Sequence, residues 1–334
     1  MSEKILVTGA NGFIGANLTS LLLKKGNEVI AFSRPGQSPH PMLESQDVEW
    51  RYGDVCDKKS VENAISGCSQ VYHLAAKVSF NQADYNNLYK VNVKGTRNVA
   101  EAARKAGVKR LVYTSACAVF GYSKNAKALL NETSRPHLTE SSPYAYTKNL
   151  GEAEVRKQID EGLSAVIVNP ATVYGAGDQK LVSGGLIKRI TFGGVHFAPP
   201  GGTTTVSIGD VVEGHILAMK KGRDGESYIL AAENLTYLEL FNRIASVVGA
   251  KPVKYVLPRF TYPFALAGVT AFSEIKSLMG SPPAIMTPQI LKETYSFKYY
   301  DSSKAKRELG WDPKKIFETA VEDAFNYYRI KDLI

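Results

Sequence analysis

Cysteine is scarce in this 334-residue chain: Cys56, Cys68 and Cys117 are the whole complement. An odd count of three rules out a disulfide framework, and no metal-knuckle spacing is present, so a reducing, cytoplasmic setting is expected. Long apolar runs are lacking too. The most apolar stretch, Tyr262 to Met279, is broken by Glu274 and Lys276 and punctuated by Pro263 and Gly268, too short and polar for a membrane span. A buried helix, a hydrophobic ligand or contact with a membrane surface would each explain it, the last being least favoured. There is no low-complexity tract, no fixed-period repeat and no basic cluster interleaved with aromatics, which argues against nucleic acid. Met1 leads within four residues into a strand, so no secretory signal is expected.

What is present is ordinary for a folded protein: 44% apolar and 22% charged residues, with a net charge of +9. The length exceeds what one core comfortably serves and predicts two lobes. The positive balance suits an anionic partner, of which a phosphorylated cofactor is one.

The chain is organised around Val7 to Gly15, set directly after Ile5-Leu6-Val7. A strand ending in Gly9-x-x-Gly12-x-x-Gly15 and followed by Leu18, Leu21, Leu22 and Leu23 reads as strand, tight turn, helix, the opening of a dinucleotide-binding unit. Glycine permits the turn, lets a pyrophosphate approach the main chain and lets helix and strand pack closely, while the helix N-terminus offers free N–H groups. A second strand, Val29 to Phe32, ends at Ser33-Arg34-Pro35-Gly36. An acid there would bind a ribose 2′-hydroxyl; Ser33 and Arg34 favour a 2′-phosphate instead, hence NADP(H) over NAD(H). The other reading of Arg34 is a solvated strand-end charge.

Trp50 to Gly53, Val71 to Ala76, Val108 to Ser115 and Ala165 to Asn169 read as further strands, with a helix over Asn92 to Ala106. That rhythm predicts an α/β fold, a doubly wound parallel Rossmann sheet covered on both faces. His73 reads as a satisfied interior histidine. Beyond Pro170 the glycines multiply and a smaller mixed C-terminal substrate lobe is expected. The dinucleotide-binding domain is placed at residues 1–175, with 206–232 returning to it, and the substrate lobe at 176–205 and 233–334. Asn234 to Glu239 reads as the capped start of a helix.

Tyr144 and Lys148 stand four apart behind the helix-opening Ser141-Ser142-Pro143, so they project together. A phenol is a poor acid–base group near neutrality, and a neighbouring ammonium favours phenolate and brings it into range. The same lysine can hold a nicotinamide ribose.

On Thr8 to Gly15, Gly53-Asp54, His73 to Ala76, Asn92 to Thr96, Tyr144-x-x-x-Lys148, Asn169 to Gly175 and Tyr300 to Trp311, the chain resembles the extended short-chain dehydrogenase/reductase family over nearly its whole length. Within that family it is similar to the dihydroflavonol-reductase-like, 3β-hydroxysteroid-dehydrogenase-like and epimerase/dehydratase branch. The resemblance implies that Gly9, Gly12 and Gly15 cradle pyrophosphate, that Asp54 and Val55 contact adenine, and that Ala75 and Lys77 line the cofactor. It also implies Tyr144 as acid–base residue and Lys148 as its support. Asn11, Phe13, Ile14, Leu74, Ala76, Asn92, Thr114, Pro170 and Val173, in or beside these motifs, join the cofactor-binding candidates.

The family carries Ser or Thr five residues before Gly121, and here that position is Ala116. A methyl group cannot donate to the reacting oxygen, and one lost donor costs on the order of 3 kcal/mol of barrier. Ser115 after a register change, Thr172 or Ser79 could substitute, or the site is weakened. Cys117 reads as a packed thiol rather than a nucleophile, and stands with Ser79, Ala116 and Thr172 among the candidates on the substrate side.

The leading expectation is an NADP(H)-dependent oxidoreductase acting on a small-molecule carbonyl or alcohol, with Tyr144, Lys148 and Ser115 catalytic. A nucleotide-sugar epimerase or dehydratase is the alternative, with Lys188, Arg189 and Arg243 as either diphosphate contacts or solvated charges. An NADP(H)-sensing regulatory protein is the third reading. A homodimer is implied by the resemblance alone.

Overall fold

The computed structural model describes residues 4–278 and 286–334; Met1 and Met279, named above, lie outside them. In chain order, β1 (Lys4–Thr8), α1 (Phe13–Lys24), β2 (Glu28–Ser33), β3 (Glu49–Tyr52), α2 (Lys58–Ile65) and β4 (Gln70–His73) form the first half of the fold. Then α3 (Tyr85–Tyr89) passes through a π turn, Lys90–Gly95, into α4 (Thr96–Lys105), followed by β5 (Arg110–Thr114), α5 (Pro143–Asp160) and β6 (Ala165–Pro170). The chain continues as β7 (Thr172–Tyr174), α6 (Gly184–Thr191), β8 (Phe197–Ala198), β9 (Gly202–Ser207), α7 (Ile208–Lys221), β10 (Ser227–Leu230) and β11 (Glu233–Thr236). It closes with α8 (Tyr237–Val248), β12 (Tyr255–Val256), α9 (Tyr262–Leu278), α10 (Pro288–Thr294), β13 (Phe297–Lys298), α11 (Ser303–Leu309) and α12 (Phe317–Ile330).

Seven parallel strands in the order β10-β6-β5-β4-β1-β2-β3 make one sheet. The strand order reverses between β1 and β4, and a doubly wound sheet opens a crevice at that point. Both faces are covered. Ile5 and Val7 pack with α1 and α7, while Leu6 packs with α2, α4 and α5, and the same alternation sorts Val112 from Leu111 and Tyr113. A period of two with apolar residues on both faces is what a buried parallel strand requires.

The expected fourth strand ends three residues early. The β1–β4 ladder stops at Thr8↔His73, because the chain after Thr8 turns away at the glycines and leaves Leu74, Ala75 and Ala76 without a strand beside them. The helix expected from Asn92 starts at Tyr85, and its π turn falls where Asn92 is turned inward and Gly95 meets Val55. Ser142 and Pro143 open α5 as expected. Thr236 and Glu239 form a full capping box on α8.

A smaller sheet, β11-β9-β13 with β7 against β9, and the short pair β12-β8 build the second part. Residues 303–311, expected in the substrate lobe, return to the large sheet instead. Ala305, Leu309 and Trp311 enter the core beside α7, and the Trp311 indole donates to the Asp210 carbonyl at 2.8 Å. Trp311→Ala is therefore expected to cost about 3–5 kcal/mol, the range for emptying a buried aromatic site, read as a lowered urea midpoint with an unchanged slope.

Candidate active site

The glycine turn is shaped by contacts that admit no side chain. A Cβ on Gly9, whose φ is +71°, would lie 2.7 Å from the Ala75 backbone nitrogen, and one on Gly15 would lie 2.1 Å from the Gly9 carbonyl oxygen. Gly12 begins α1 with no side-chain cap and no acid in the first turn, so the amides of Phe13, Ile14 and Gly15 face forward unclaimed by a capping side chain. Such a helix start opposite the sheet's crevice fits a dinucleotide pyrophosphate. Asn11 organises the next loop: its Nδ2 donates to Ser33 Oγ (2.9 Å) and the Ser38 carbonyl (3.1 Å), and its Oδ1 accepts from the His40 amide. Ser33 Oγ donates in turn to Gln37 Oε1 at 3.2 Å. Arg34 is exposed. A cavity of about 430 Å³ beside it is lined by Pro35, Gly36, Gln37, Ser38 and Tyr52.

Behind the turn lies a relay of buried polar groups. The Ala75 amide donates to Thr8 Oγ1, Thr8 Oγ1 and His73 Nδ1 share a hydrogen bond of 2.7 Å, and His73 Nε2 and Thr96 Oγ1 share one of 3.1 Å. Burial pushes the His73 pKa down to about 3, with the Lys148 charge acting in the same direction. It is an interior histidine, held neutral.

Lys148 is buried, 1% exposed, on the inner side of α5. Its Nζ donates to the Thr114 carbonyl at 2.6 Å and lies 4.4 Å from the centre of the Tyr113 ring. Burial pushes its pKa down to about 7, partly opposed by Glu152. At ordinary strand spacing Thr114 stands about 10 Å across the sheet from Thr8. Tyr144, one helical turn earlier, is half-buried, and its ring meets Phe80 edge-on with centroids 5.7 Å apart. The mass of protein around its hydroxyl pushes it up to about 12, with burial the sole cause. The activation expected from the sequence, an ammonium drawing the phenol toward neutrality, is not among the influences on Tyr144, where burial alone acts, and at Lys148 burial outweighs the Glu152 charge.

Several candidates are committed elsewhere. The Asn92 amide is spent inside the protein: Nδ2 donates to the Lys77 carbonyl and Thr147 Oγ1, and Oδ1 accepts from the Lys77 amide. It thus ties the strand-end loop to α5 rather than presenting its amide to a ligand. The Thr114 hydroxyl points through the sheet to His215 Nε2 at 2.8 Å. Val55 and Val173 are core residues, and Pro170 is buried at the end of β6. One Asp54 oxygen accepts from the Cys56 amide. Leu74, Ala75, Ala76 and Lys77 run partly exposed along the crevice, with Lys77 Nζ 3.5 Å from Asp84.

On the substrate side, Ser79 Oγ donates to Asp84 Oδ2 at 2.6 Å, and Thr172 Oγ1 lies 3.3 Å from Thr203 Oγ1. Cys117 is buried against the core with its thiol 3.0 Å from the Asn169 carbonyl, and burial pushes its pKa well up, so it faces protein rather than ligand. The Ser115 hydroxyl is buried without a hydrogen-bond partner. Its amide bonds the Val168 carbonyl, and the alternation that sends Tyr113 toward α5 and Thr114 toward α7 puts Ser115 on the α5 side. Ala116 is half-buried.

A larger cavity, about 700 Å³, lies beyond Phe80, between Ser141 at the start of α5, Tyr262 and Leu266 of α9, and Pro288 and Lys292 of α10. Phe80 beside Tyr144, His215 behind Thr114 and the Glu152–Asn169 bond of 2.8 Å have no local cue in the sequence. Each joins residues distant along the chain. Thr147, inside the Tyr-Ala-Tyr-Thr-Lys motif, could have been suspected.

A glycine-lined crevice at a Rossmann switch point, with a Tyr-x-x-x-Lys helix beside it, defines an NAD(P)-dependent short-chain dehydrogenase/reductase of the extended type. The sequence model of the NAD dependent epimerase/dehydratase family matches residues 5–231, and the chain belongs to that family. It is 33% identical to sterol demethylase protein B of Methylococcus capsulatus, over 98% of this chain and 99% of that one. Identity to 2-alkyl-3-oxoalkanoate reductase of Stenotrophomonas maltophilia is 30%, over 95% and 97%. A UDP-glucose 4-epimerase from Thermotoga maritima, solved with UDP-glucose, superposes with a TM-score of 0.78 at 26% identity, covering 99% and 100% of the two chains.

A lysine ordinarily titrating near 10.5 and held at about 7 binds its proton more weakly folded than unfolded. Folding stability therefore rises with pH between those values, and below about 7 the full penalty is present. The melting temperature of the wild type minus that of Lys148→Met is expected to increase from pH 7 to pH 10 and stay level below pH 6. A difference flat across pH 7–10 would show that Lys148 is not desolvated as described.

Proposed function

We propose that this chain is an NADP(H)-dependent oxidoreductase that interconverts a ketone and a secondary alcohol on an apolar substrate. The observation that carries the reading is the cavity beyond Phe80, whose ring meets Tyr144; Phe80, Ala83, Tyr262, Leu266 and Pro288 wall it together with polar side chains such as Gln82 and Gln289. Of the cations that a sugar nucleotide could use, Lys276 and Lys292 line the cavity, whereas the three on α6 and α8 stand elsewhere. Arg243 is clamped between Glu233 and Glu318, and Lys188 donates to the Leu333 carbonyl; Arg189 is exposed on α6. The likeness to a UDP-glucose 4-epimerase keeps epimerisation as the second reading, and Ala116 keeps an NADP(H)-binding regulatory role as the third.

The nicotinamide, when bound, supplies or accepts the hydride. The remaining tasks fall to the chain. The uncapped amides of Phe13, Ile14 and Gly15 hold pyrophosphate, and Ser33 and Arg34 hold the 2′-phosphate, with no carboxylate among the residues lining the neighbouring cavity to repel it. Tyr144 Oη, protonated at neutral pH, donates its proton to the oxygen developing on the former carbonyl; this is the form that ketone reduction needs. Lys148 orients from the Thr114 carbonyl. Ser115, the uncommitted hydroxyl on the α5 side, takes the orienting role that Ala116 cannot fill.

With NADPH absorbance followed against a panel of apolar ketones, Tyr144→Phe is expected to lower kcat/KM by roughly 10²–10⁴ while NADPH still binds. Ser115→Ala should lower it by about 10². Because the phenol loses its proton only well above neutrality, alcohol oxidation should climb with pH from 7 to 10 and ketone reduction should not. Turnover of UDP-sugars without net NADPH change would favour the epimerase reading instead. Arg34→Ala should weaken NADPH binding by roughly 10–100-fold, the range for a charge-assisted bond, and leave NADH untouched; equal losses for both would remove the NADP preference.

A further inference from the structure

Helix α9 turns one face to the large cavity and the other to solvent, and the solvent face is the anomaly. Tyr262, Leu266, Ser273 and Lys276 line the cavity. The exposed positions recur at helical spacing and are apolar, chiefly Phe264, Ala267, Ala271, Phe272 and Ile275. Phe264 is 76% and Phe272 57% exposed, and Phe260, just before the helix, is 73% exposed. A surface helix normally shows water its polar side; a contiguous apolar face marks an interaction site. No helix among the described residues is long and apolar enough to cross a membrane.

The sequence around this helix is mostly basic. Between residues 250 and 293 it holds Lys251, Lys254, Arg259, Lys276 and Lys292 against two acids, Glu274 and Glu293. An exposed apolar helix face with aromatic residues on it and bases predominating in the flanking sequence suits the interface of an anionic bilayer. A second copy of this chain fits less well, because a two-fold contact through this face would bring one basic rim against another.

We propose that this protein docks reversibly on anionic lipid surfaces through Phe260 and the outer face of α9, with the basic rim meeting lipid phosphates. The cavity then stands directly behind the membrane-facing helix. The inference uses the exposed face and its charge, and does not depend on which substrate the cavity takes or on the cofactor.

Full-length protein is mixed with vesicles of phosphatidylcholine alone or with 30% phosphatidylglycerol, and sedimented. Binding is expected to the phosphatidylglycerol vesicles, to fall with added salt, and to weaken at least tenfold in Phe264→Glu/Phe272→Glu. NADPH affinity and far-UV circular dichroism should not change in that variant. Lys251→Glu/Lys254→Glu, which leaves the apolar face intact, should weaken binding to the charged vesicles as well. The proposal is overturned by absence of sedimentation with phosphatidylglycerol vesicles, or by binding that neither double variant weakens. It is equally overturned by a dimer that Phe264→Glu/Phe272→Glu dissociates in a protein that ignores vesicles, which would make the face a contact between copies. Wild-type protein that sediments with the vesicles but reduces no ketone of the panel would count against the oxidoreductase reading alone.

Discussion

The molecule turns on one close approach, where the backbone leaving β1 meets the backbone leaving β4. Gly9 sits so near Ala75 that a single added carbon would overlap the neighbouring amide, and Gly15 stands as close to Gly9. Two central parallel strands part there in opposite directions, so the sheet must open. The opening faces an uncapped helix start on one side and the loop 74–77 on the other. The Ala75 amide, freed from any strand partner, is satisfied by the Thr8 hydroxyl, which also bonds the His73 ring behind it. The crevice thus follows from the sheet's winding, and glycine is the residue that leaves room for a ligand in it.

Positioning the chemistry is a separate problem, solved with buried polar groups. A helix against a sheet can slide or rotate by small amounts at little cost in apolar contact, since burial is non-directional. Hydrogen bonds between specific buried atoms remove that freedom, because leaving any of them unmade costs a desolvation penalty. Helix α5 is fixed at three points on its inner face: Thr147 to Asn92, Lys148 to the Thr114 carbonyl, and Glu152 to Asn169. Gly151 lets the helix reach this depth, since a Cβ there would lie 2.5 Å from both the Asn92 carbonyl and the Tyr113 hydroxyl. Tyr144, on the same helix one turn toward its start, inherits the register so set.

How far the sequence reveals this depends on whether the signal is local. The glycine turn, the alternation of strands and helices, the Ser142-Pro143 helix opening and the Thr236–Glu239 capping box are each written within a dozen residues and each recurs in the structure. Asn92 looked like a ligand contact because an amide in a motif can serve either purpose; only its two distant partners, Lys77 and Thr147, show that it is spent. Thr114 is similar, since nothing near it in the chain announces His215, about a hundred residues later. The return of Trp311 to the large sheet is likewise a matter of partners. The state of the Tyr144 phenol is illegible for a related reason: spacing puts two groups on one helix face, but how far each is buried depends on everything packed around it.

Helix α9 illustrates the limit most sharply. Its sequence is apolar on nearly every side, and periodicity cannot say which side faces inward when both are of one kind. The cavity accounts for one face, through Tyr262 and Leu266. A helix that only roofs such a cavity would have no reason to carry Phe264 and Phe272 on its far side, where Lys or Glu would favour solubility and helix formation alike. The absence of that ordinary solution points to an outer surroundings less polar than water. The aromatic exterior of α9 and the cavity behind it thus lie on opposite faces of one helix, the arrangement that docking on a lipid surface through that helix requires.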